Sequence, residues 1–203
     1  MPTKQTATKR VLALARSGEL LRGKDLIAHG IHPEYLRRLQ QRGVLERCNR
    51  GVYRLVGAKF SGNLNLAEVA KRVPHGVFCL LTALRFHAIG TQNPANIWLA
   101  VDRRARPPQI DRPQVRVFRF SGKAFTDGVE EHQIEGVTVR VTNPAKTVAD
   151  CFKYRNKVGL EVALEAARDC WQTRKATADE LLKYAKVCRV WNVMRPYLEA
   201  IIQ

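Results

Sequence analysis

Cysteine is scarce in this sequence and shows no recognisable pattern. Five cysteines occur among 203 residues, and no two of them form a C-x-x-C pair. An odd number of widely spaced cysteines is atypical of a disulfide framework or of a clustered zinc site. The five are Cys48, Cys79, Cys151, Cys170 and Cys188. This pattern favours a reducing compartment, and we expect the protein to be cytoplasmic.

Long apolar runs are also missing. No stretch approaches the ~20 apolar residues that cross a bilayer, and the polar start Met1-Pro2-Thr3-Lys4-Gln5 does not resemble a signal peptide. Hydrophobic residues still make up 45% of the chain, which indicates a folded protein rather than a disordered one. We therefore expect a globular chain with no membrane contact.

Acidic residues are outnumbered almost two to one. The sequence has 35 Lys and Arg against 18 Asp and Glu, a formal net charge of +17, far beyond the ~2–8 that keeps a small domain soluble. Residues 1–60 carry 13 basic and 4 acidic side chains, a net charge of +9, whereas 61–150 and 151–203 carry +4 each. Such a field attracts polyanions, of which nucleic acid is the commonest in the cytoplasm.

The first sixty residues predict three short helices followed by a β-hairpin. Apolar residues at helical spacing predict helices over Thr8–Arg16, Lys24–His29 and Pro33–Arg42. The predicted strands are Val44–Arg47 and Val52–Leu55, joined by Cys48-Asn49-Arg50-Gly51. Asn and Gly in that turn suit the positive φ angles of a tight hairpin. The sequence therefore predicts a winged helix-turn-helix over residues 1–60.

The third helix has two distinct faces at 100° per residue. Leu36 and Leu39 share the inward stripe. The opposite face and its margins hold Glu34, Arg37, Arg38, Gln41 and Arg42, and the hairpin tip holds Arg47, Asn49 and Arg50. Long donors on such a face suit base edges in the major groove, and the flanking cations suit phosphates. We predict that these eight residues contact DNA, although a solvated helix face and an ordinary surface turn would have the same composition.

Residues 61–203 predict a second domain, an α+β domain in which helices cover a small sheet. Strand-like runs lie at Ile97–Val101, Val115–Phe120 and Val137–Val141. In the second run the two faces are ambiguous, because Arg116, Phe118 and Phe120 alternate with Val115, Val117 and Arg119. Helices are predicted over Leu64–Arg72, Phe78–His87, Ala145–Tyr154, Gly159–Trp171 and Ala178–Ala200.

Several short motifs, in this order along the chain, resemble the AbiEi-type antitoxins. They are Leu36-Arg37-Arg38-Leu39-Gln40-Gln41-Arg42-Gly43-Val44-Leu45 with Arg50-Gly51-Val52-Tyr53-Arg54-Leu55, then Leu81–Gly90, Ile97–Val101 and Gly136–Asp150. The family often has Arg where Lys146 stands. The resemblance implies a transcriptional repressor of its own toxin–antitoxin operon, acting on an inverted repeat in double-stranded DNA. It also implies a nucleotidyltransferase-like toxin as the functional partner, without requiring that the two proteins touch, and a homodimer on DNA would match the repeat.

A second basic group lies in the C-terminal half. Arg103, Arg104 and Arg106 follow one predicted strand, and Arg116 and Arg119 lie on the next. They are candidates for a secondary contact to DNA or to an acidic partner, and a solvated loop is the alternative interpretation.

Catalytic signals are weak. Asp102, Asp111, Glu130, Glu131 and Glu135 are the only candidates for a metal-dependent nuclease, and nothing in their spacing fixes a cation. The histidines are dispersed and form no metal-binding motif, so we predict no metal, no cofactor and no catalytic residue. A nuclease delivered by the winged helix, and an antitoxin that acts chiefly by binding its toxin, remain the alternatives to a repressor.

Overall fold

The structure is a computed structural model, which describes residues 7–16, 20–49, 51–57, 63–110 and 112–202. Its contacts divide the chain into two compact units. The first takes in the described residues up to Pro74 together with Gln133–Val139, and the second takes in His75–His132 and the residues from Arg140 onward.

The first unit begins as a winged helix-turn-helix, which confirms the prediction. Its helices are α1 Ala7–Arg16, α2 Gly23–Ala28, α3 Glu34–Gln41 and α4 Leu64–Arg72, and its strands are β1 Leu21–Arg22, β2 Leu45–Asn49 and β3 Val52–Leu55. The apolar stripes predicted for the helices are buried together in one core that includes Val11, Leu26, Leu36, Leu39 and Leu45. Residues at i, i+3 and i+4 bring this core to one side of each short helix.

A short strand that the sequence pattern did not reveal completes the wing sheet. The strand order is β1-β3-β2, and Leu21 and Arg22 pair antiparallel with Tyr53 and Val52. Two residues are too few to show the alternation that identifies a strand. β1 ties the start of α2 to the hairpin.

Helix α4 is bound to the winged helix by polar contacts. The Lys71 ammonium lies 2.8 Å from the Asp25 carboxylate, and both side chains are largely buried. The Arg22 guanidinium donates to the backbone carbonyl of Lys71. These contacts agree with the grouping of α4 in the first unit. A DNA-binding domain that ends at residue 60 remains a prediction.

The second unit is α+β, as predicted, with helices packed on a sheet. The sheet has five strands in the order β6-β5-β4-β8-β7, and the ends of β7 and β8 beside their turn, Gln133–Val139, are grouped with the first unit. β5 pairs parallel with β6 and antiparallel with β4, which pairs parallel with β8. The strands are β4 Val77–Phe78, β5 Ile97–Asp102, β6 Val115–Phe120, β7 Val129–Ile134 and β8 Val137–Thr142. The helices are α5 Leu80–Phe86, α6 Lys123–Thr126, α7 Pro144–Lys153, α8 Arg155–Val158, α9 Leu160–Gln172, α10 Ala178–Val187 and α11 Trp191–Ile202.

Aromatic packing resolves the ambiguous strand β6. Phe118 and Phe120 are buried, the first stacked on Trp98 at a ring-centre distance of 4.9 Å and the second on Tyr154 at 5.3 Å. The face with even residue numbers is therefore the one packed on the core. Arg116 shares that parity but lies at the strand's start, where its guanidinium carbon is 4.6 Å from the centre of the Trp98 ring.

A buried ion pair lies in α7. The Lys146 Nζ is 2.7 and 2.6 Å from the two Asp150 carboxylate oxygens, and the two side chains are 0% and 1% exposed. Burial raises the pKa of Asp150, and Lys146 opposes that rise. Burial alone would lower the pKa of Lys146, but the adjacent carboxylate outweighs it and raises that pKa. The thiol of Cys188 also donates to Asp150, at 3.3 Å.

Two predicted helices have different bounds from those expected. The helix predicted over Ala178–Ala200 is in fact two, α10 and α11, because Arg189 adopts a left-handed φ of +58° and its amide bonds back to the Lys186 carbonyl. No Gly or Pro marks this break in the sequence. The helix predicted from Phe78 begins only at Leu80, because Val77–Phe78 pairs as β4.

Strand β7 was missed because its sequence, Val-Glu-Glu-His-Gln-Ile, has no apolar alternation. In the turn that follows β7, Glu135 and Gly136 have positive φ angles of 49° and 67°. Two successive residues of this kind form the turn that joins two-residue hairpins, and a Gly at the second position is its usual signal.

Candidate nucleic-acid interface

Helix α3 presents the polar face that its sequence predicted. Leu36 and Leu39 are each only 2% exposed, which fixes the rotation of the helix on its core. Arg37, Arg38, Gln41 and Arg42 are all exposed as a result. An α-helix with its side chains is ~10–12 Å across, so the ~12 Å width of the DNA major groove admits α3.

Glu34 and Arg37 form an ion pair at the start of this face. The Nε and Nη2 of Arg37 lie 2.9 and 2.8 Å from the same Glu34 oxygen. The hydrogen bond from Arg37 lowers the pKa of Glu34, and the same bond raises the pKa of Arg37. Glu34 therefore carries no uncompensated negative charge where DNA is predicted to approach. To accept a hydrogen bond from a base, its carboxylate would have to share or leave Arg37.

Arg38 extends over the ring of Tyr35, with its guanidinium carbon 5.6 Å from the ring centre. This contact restricts a long side chain before any ligand is bound. The N–H groups of a guanidinium lie in its plane, so a guanidinium over an aromatic ring can still donate hydrogen bonds outward. Arg38 and Gln41 remain the residues best placed to reach base edges, and this assignment stays a prediction.

The wing has the predicted hairpin with one irregularity. Arg47 pairs with Tyr53, and Asn49 with Val52, so Cys48 lies in a bulge between them. Gly51 has a φ of +74°, the conformation that the turn sequence predicted. Arg47 is exposed. The side chain of Asn49 and the whole of Arg50 lie outside the described residues, so their predicted contacts are not placed.

The second basic group divides into two kinds of residue. Arg103, Arg104 and Arg106 are exposed in the loop after β5. Arg119 instead holds that loop, because its Nη1 donates to the carbonyl oxygens of Asp102 at 3.3 Å and of Arg103 at 3.0 Å, and also to that of Ala105. Sequence reasoning missed this structural role, since strand alternation does not show which carbonyl groups a side chain reaches. Whether any of these arginines meets DNA stays a prediction.

The acidic residues proposed for a nuclease are dispersed among structural contacts. Asp102 accepts from the backbone amide of Arg104 at 2.8 Å, and Glu131 lies 3.7 Å from Arg140. Asp111 lies outside the described residues. Within the part of the chain that the structure describes, no three His, Cys, Asp or Glu side chains are grouped to hold a metal ion.

The histidine on helix α5 belongs to the interior of the second unit. The half-buried His87 lies at the C-terminal end of α5, with its Nε2 2.8 Å from the Thr142 carbonyl. Because a carbonyl only accepts, this nitrogen carries the proton. Burial lowers the pKa of His87, and this outweighs the opposing effects of the hydrogen bond to Thr142 and of the Glu130 carboxylate. The imidazole is thus held neutral by its packing.

The cysteines are free thiols. Burial raises the pKa of Cys188 and of Cys48 to about 12 each, and it also raises the pKa of Cys79 and of Cys151. Thiols in this state are poor nucleophiles and poor metal ligands.

Among the helices of the described ranges, none has the length and apolar character that a bilayer crossing requires.

Comparisons with known proteins agree with this fold. The chain as a whole is similar in structure to the RV2827C protein from Mycobacterium tuberculosis, with a TM-score of 0.65 at 15% identity, over 96% of this chain and 77% of that one. At this identity the likeness concerns the fold alone. No protein with a curated description matches the chain.

A family model for transcriptional regulators, described as AbiEi antitoxin, matches residues 9–56. The matched segment begins in α1 and ends just after β3, so it coincides with the winged helix-turn-helix and its wing. The winged helix-turn-helix of this chain is thus similar to that of the AbiEi antitoxin family of transcriptional regulators.

Proposed function

We propose that this protein is an antitoxin that represses its own operon by sequence-specific binding to duplex DNA. The observation that carries the proposal is the polar face of α3, which the burial of Leu36 and Leu39 turns away from the core. The same segment matches the regulator family. Helix α3 would enter the major groove, with Arg38 and Gln41 on base edges and Arg37 and Arg42 near phosphates.

The wing would add a contact outside the groove that α3 occupies. Arg47 is exposed on β2, and Asn49 and Arg50 are the other wing residues that the sequence predicts to contact DNA. Contacts of this kind go to the backbone or the minor groove and carry little sequence information. An inverted repeat in the promoter would be read by two copies of the chain, one for each half-site.

The antitoxin role rests on the family of the first unit and on the resemblance in the second. We propose a nucleotidyltransferase-like toxin as the partner whose action is countered. Growth of cells that express such a neighbouring gene, with and without this chain, tests the role directly. Failure of the intact chain to restore growth would refute it.

The DNA-binding proposal is tested with the intact chain, its own promoter fragment and a shuffled duplex of equal length. Arg38→Ala should weaken promoter binding by ~1–3 kcal/mol and relax the preference at one base pair. Arg195→Ala is a suitable control, because Arg195 lies on α11 and pairs on the surface with Glu199 at 2.7 Å. Equal affinity of the unaltered chain for both duplexes, or an equal reduction in both variants, would contradict sequence-specific binding through α3.

A further inference from the structure

A basic cleft lies in the second unit, and none of the arginines of the second basic group lines it. It has a volume of about 470 Å³ and is lined by Ser121, Gly122, Lys123, Ala124, Lys153, Lys186, Val187 and Arg189. Four of these side chains are cationic. None of the described lining residues is acidic, so no carboxylate of the lining neutralises the four positive charges.

Three separate parts of the chain bring these cations together. Lys123 follows the turn at Gly122, where β6 ends and α6 begins. Lys153 ends α7, and Lys186 lies in the last turn of α10. Arg189 follows α10 in the left-handed residue that separates it from α11. Because these positions are 3 to 66 residues apart in the sequence, no sequence motif identifies the cleft.

Helix capping explains only part of this arrangement. A cation near a helix C-terminus compensates the helix dipole, and the Lys153 Nζ donates to the Cys188 carbonyl at 2.9 Å. Lys186 gains the same dipole benefit from its place in α10. Neither effect accounts for Lys123 or for Arg189. Arg189 moreover occupies a φ of +58°, a conformation that glycine adopts with less strain.

We propose that this cleft binds phosphate groups. Its walls offer ammonium and guanidinium donors, which form strong charge-assisted hydrogen bonds to phosphate oxygens. They offer no aromatic ring on which a base would stack, as single-stranded nucleic-acid sites do. The ligand is therefore recognised through its phosphates, either in the backbone of a nucleic acid or in a free polyphosphate. The site does not depend on the proposed role of α3.

A charge-matched pair of variants tests the cleft. Lys123→Gln with Arg189→Gly removes two of its four cations. Lys157→Gln with Arg174→Gly is the control, because Arg174 has a φ of +54°, close to that of Arg189, and neither residue lines the cleft. Each pair removes the same charge and relieves one left-handed arginine, so thermal melting should show both proteins folded.

Two probes distinguish the phosphate source. One is inorganic triphosphate, titrated by calorimetry in low salt; the other is a labelled duplex DNA of unrelated sequence, followed by anisotropy over a range of salt concentrations. The cleft variant should bind at least one probe ~10-fold more weakly than the control variant. For DNA, the dependence of log K on log salt should also fall by about one for each phosphate that the cleft variant no longer neutralises.

The two probes give different results for a nucleic-acid backbone and for a free polyphosphate. Weaker binding of DNA alone identifies a nucleic-acid backbone, and weaker binding of triphosphate alone identifies a free polyphosphate. Equal affinities of the two variants for both probes would overturn the proposal, since the cleft would then contribute nothing beyond its charge. Neither probe reports promoter preference, so failure of the repressor proposal leaves this test intact.

Discussion

The buried pair Lys146–Asp150 allows a quantitative prediction about the stability of the second unit. Asp150→Asn keeps the shape of the side chain but removes the charge that lies 2.6–2.7 Å from the Lys146 ammonium. Lys146→Met does the reverse. Each change leaves one buried charge without its counterion, which typically costs ~3–5 kcal/mol. Removing both charges together, in Lys146→Met with Asp150→Leu, should recover most of this loss.

The pH dependence of the two single variants should have opposite signs. Without Lys146, burial raises the pKa of Asp150 further, so the folded state binds a proton more tightly than the unfolded chain and stability falls as pH rises. Without the carboxylate, burial lowers the pKa of Lys146, so the unfolded chain binds the proton more tightly and stability rises with pH.

Tryptophan fluorescence in urea is a suitable assay, because Trp98, Trp171 and Trp191 are the three tryptophans of the chain and all belong to the second unit. With a urea slope of ~2 kcal/mol per molar, a loss of ~3 kcal/mol lowers the midpoint by ~1.5 M. The reasoning would be refuted if both single variants had the same pH dependence, or if the double variant lost as much stability as the two singles combined.

Further predictions concern packing, titration and capping. Gly128→Ala should lower the free energy of unfolding by ~2–4 kcal/mol, because φ is +70° and a Cβ would lie 2.7 Å from a ring carbon of Tyr184. Gly122 is also at positive φ but would place its Cβ with nothing within 4 Å. Gly122→Ala should therefore cost only the backbone strain in the same urea assay. Since burial lowers the pKa of His87 from 6.5, the folded chain should lose stability as pH falls below ~6.5. In His87→Gln the melting temperature should therefore fall less steeply over this pH range. An unchanged slope would contradict a neutral, buried His87. Thr177→Ala removes the side chain that accepts from the Glu180 amide at 3.2 Å and should cost ~1 kcal/mol, measured by the same fluorescence.

The elements that sequence patterns predicted well are those with a local cause. Leu36 and Leu39 at helical spacing, with a Gly after the helix, determined both the existence of α3 and its exposed face. Gly51 determined the place of the wing turn. Strand β1 and the break at Arg189 escaped because neither has a local signal: β1 exists only through its pairing with β3, and Arg189 adopts a conformation that its residue type does not favour.

The assignment of individual arginines depended on contacts that no pattern contains. The sequence makes Arg119 a candidate contact to DNA or to an acidic partner, and the structure adds that it is the donor that holds the loop at Arg103. Arg37 was placed on the margin of the DNA face, and the structure adds its pairing with Glu34. A side chain's partner is decided by residues distant in the sequence, or by rotamers, and periodicity reports neither.

The net charge of +17, its concentration in the first sixty residues and the faces of α3 could all be read from the order of the amino acids, because charge and helical period are local properties of the chain. The burial of Lys146 and Asp150 as a pair became visible only in the folded chain. The same holds for the cleft that is lined by Lys123, Lys153, Lys186 and Arg189. Burial and convergence both require that distant segments pack together, and that packing is a property of the whole fold.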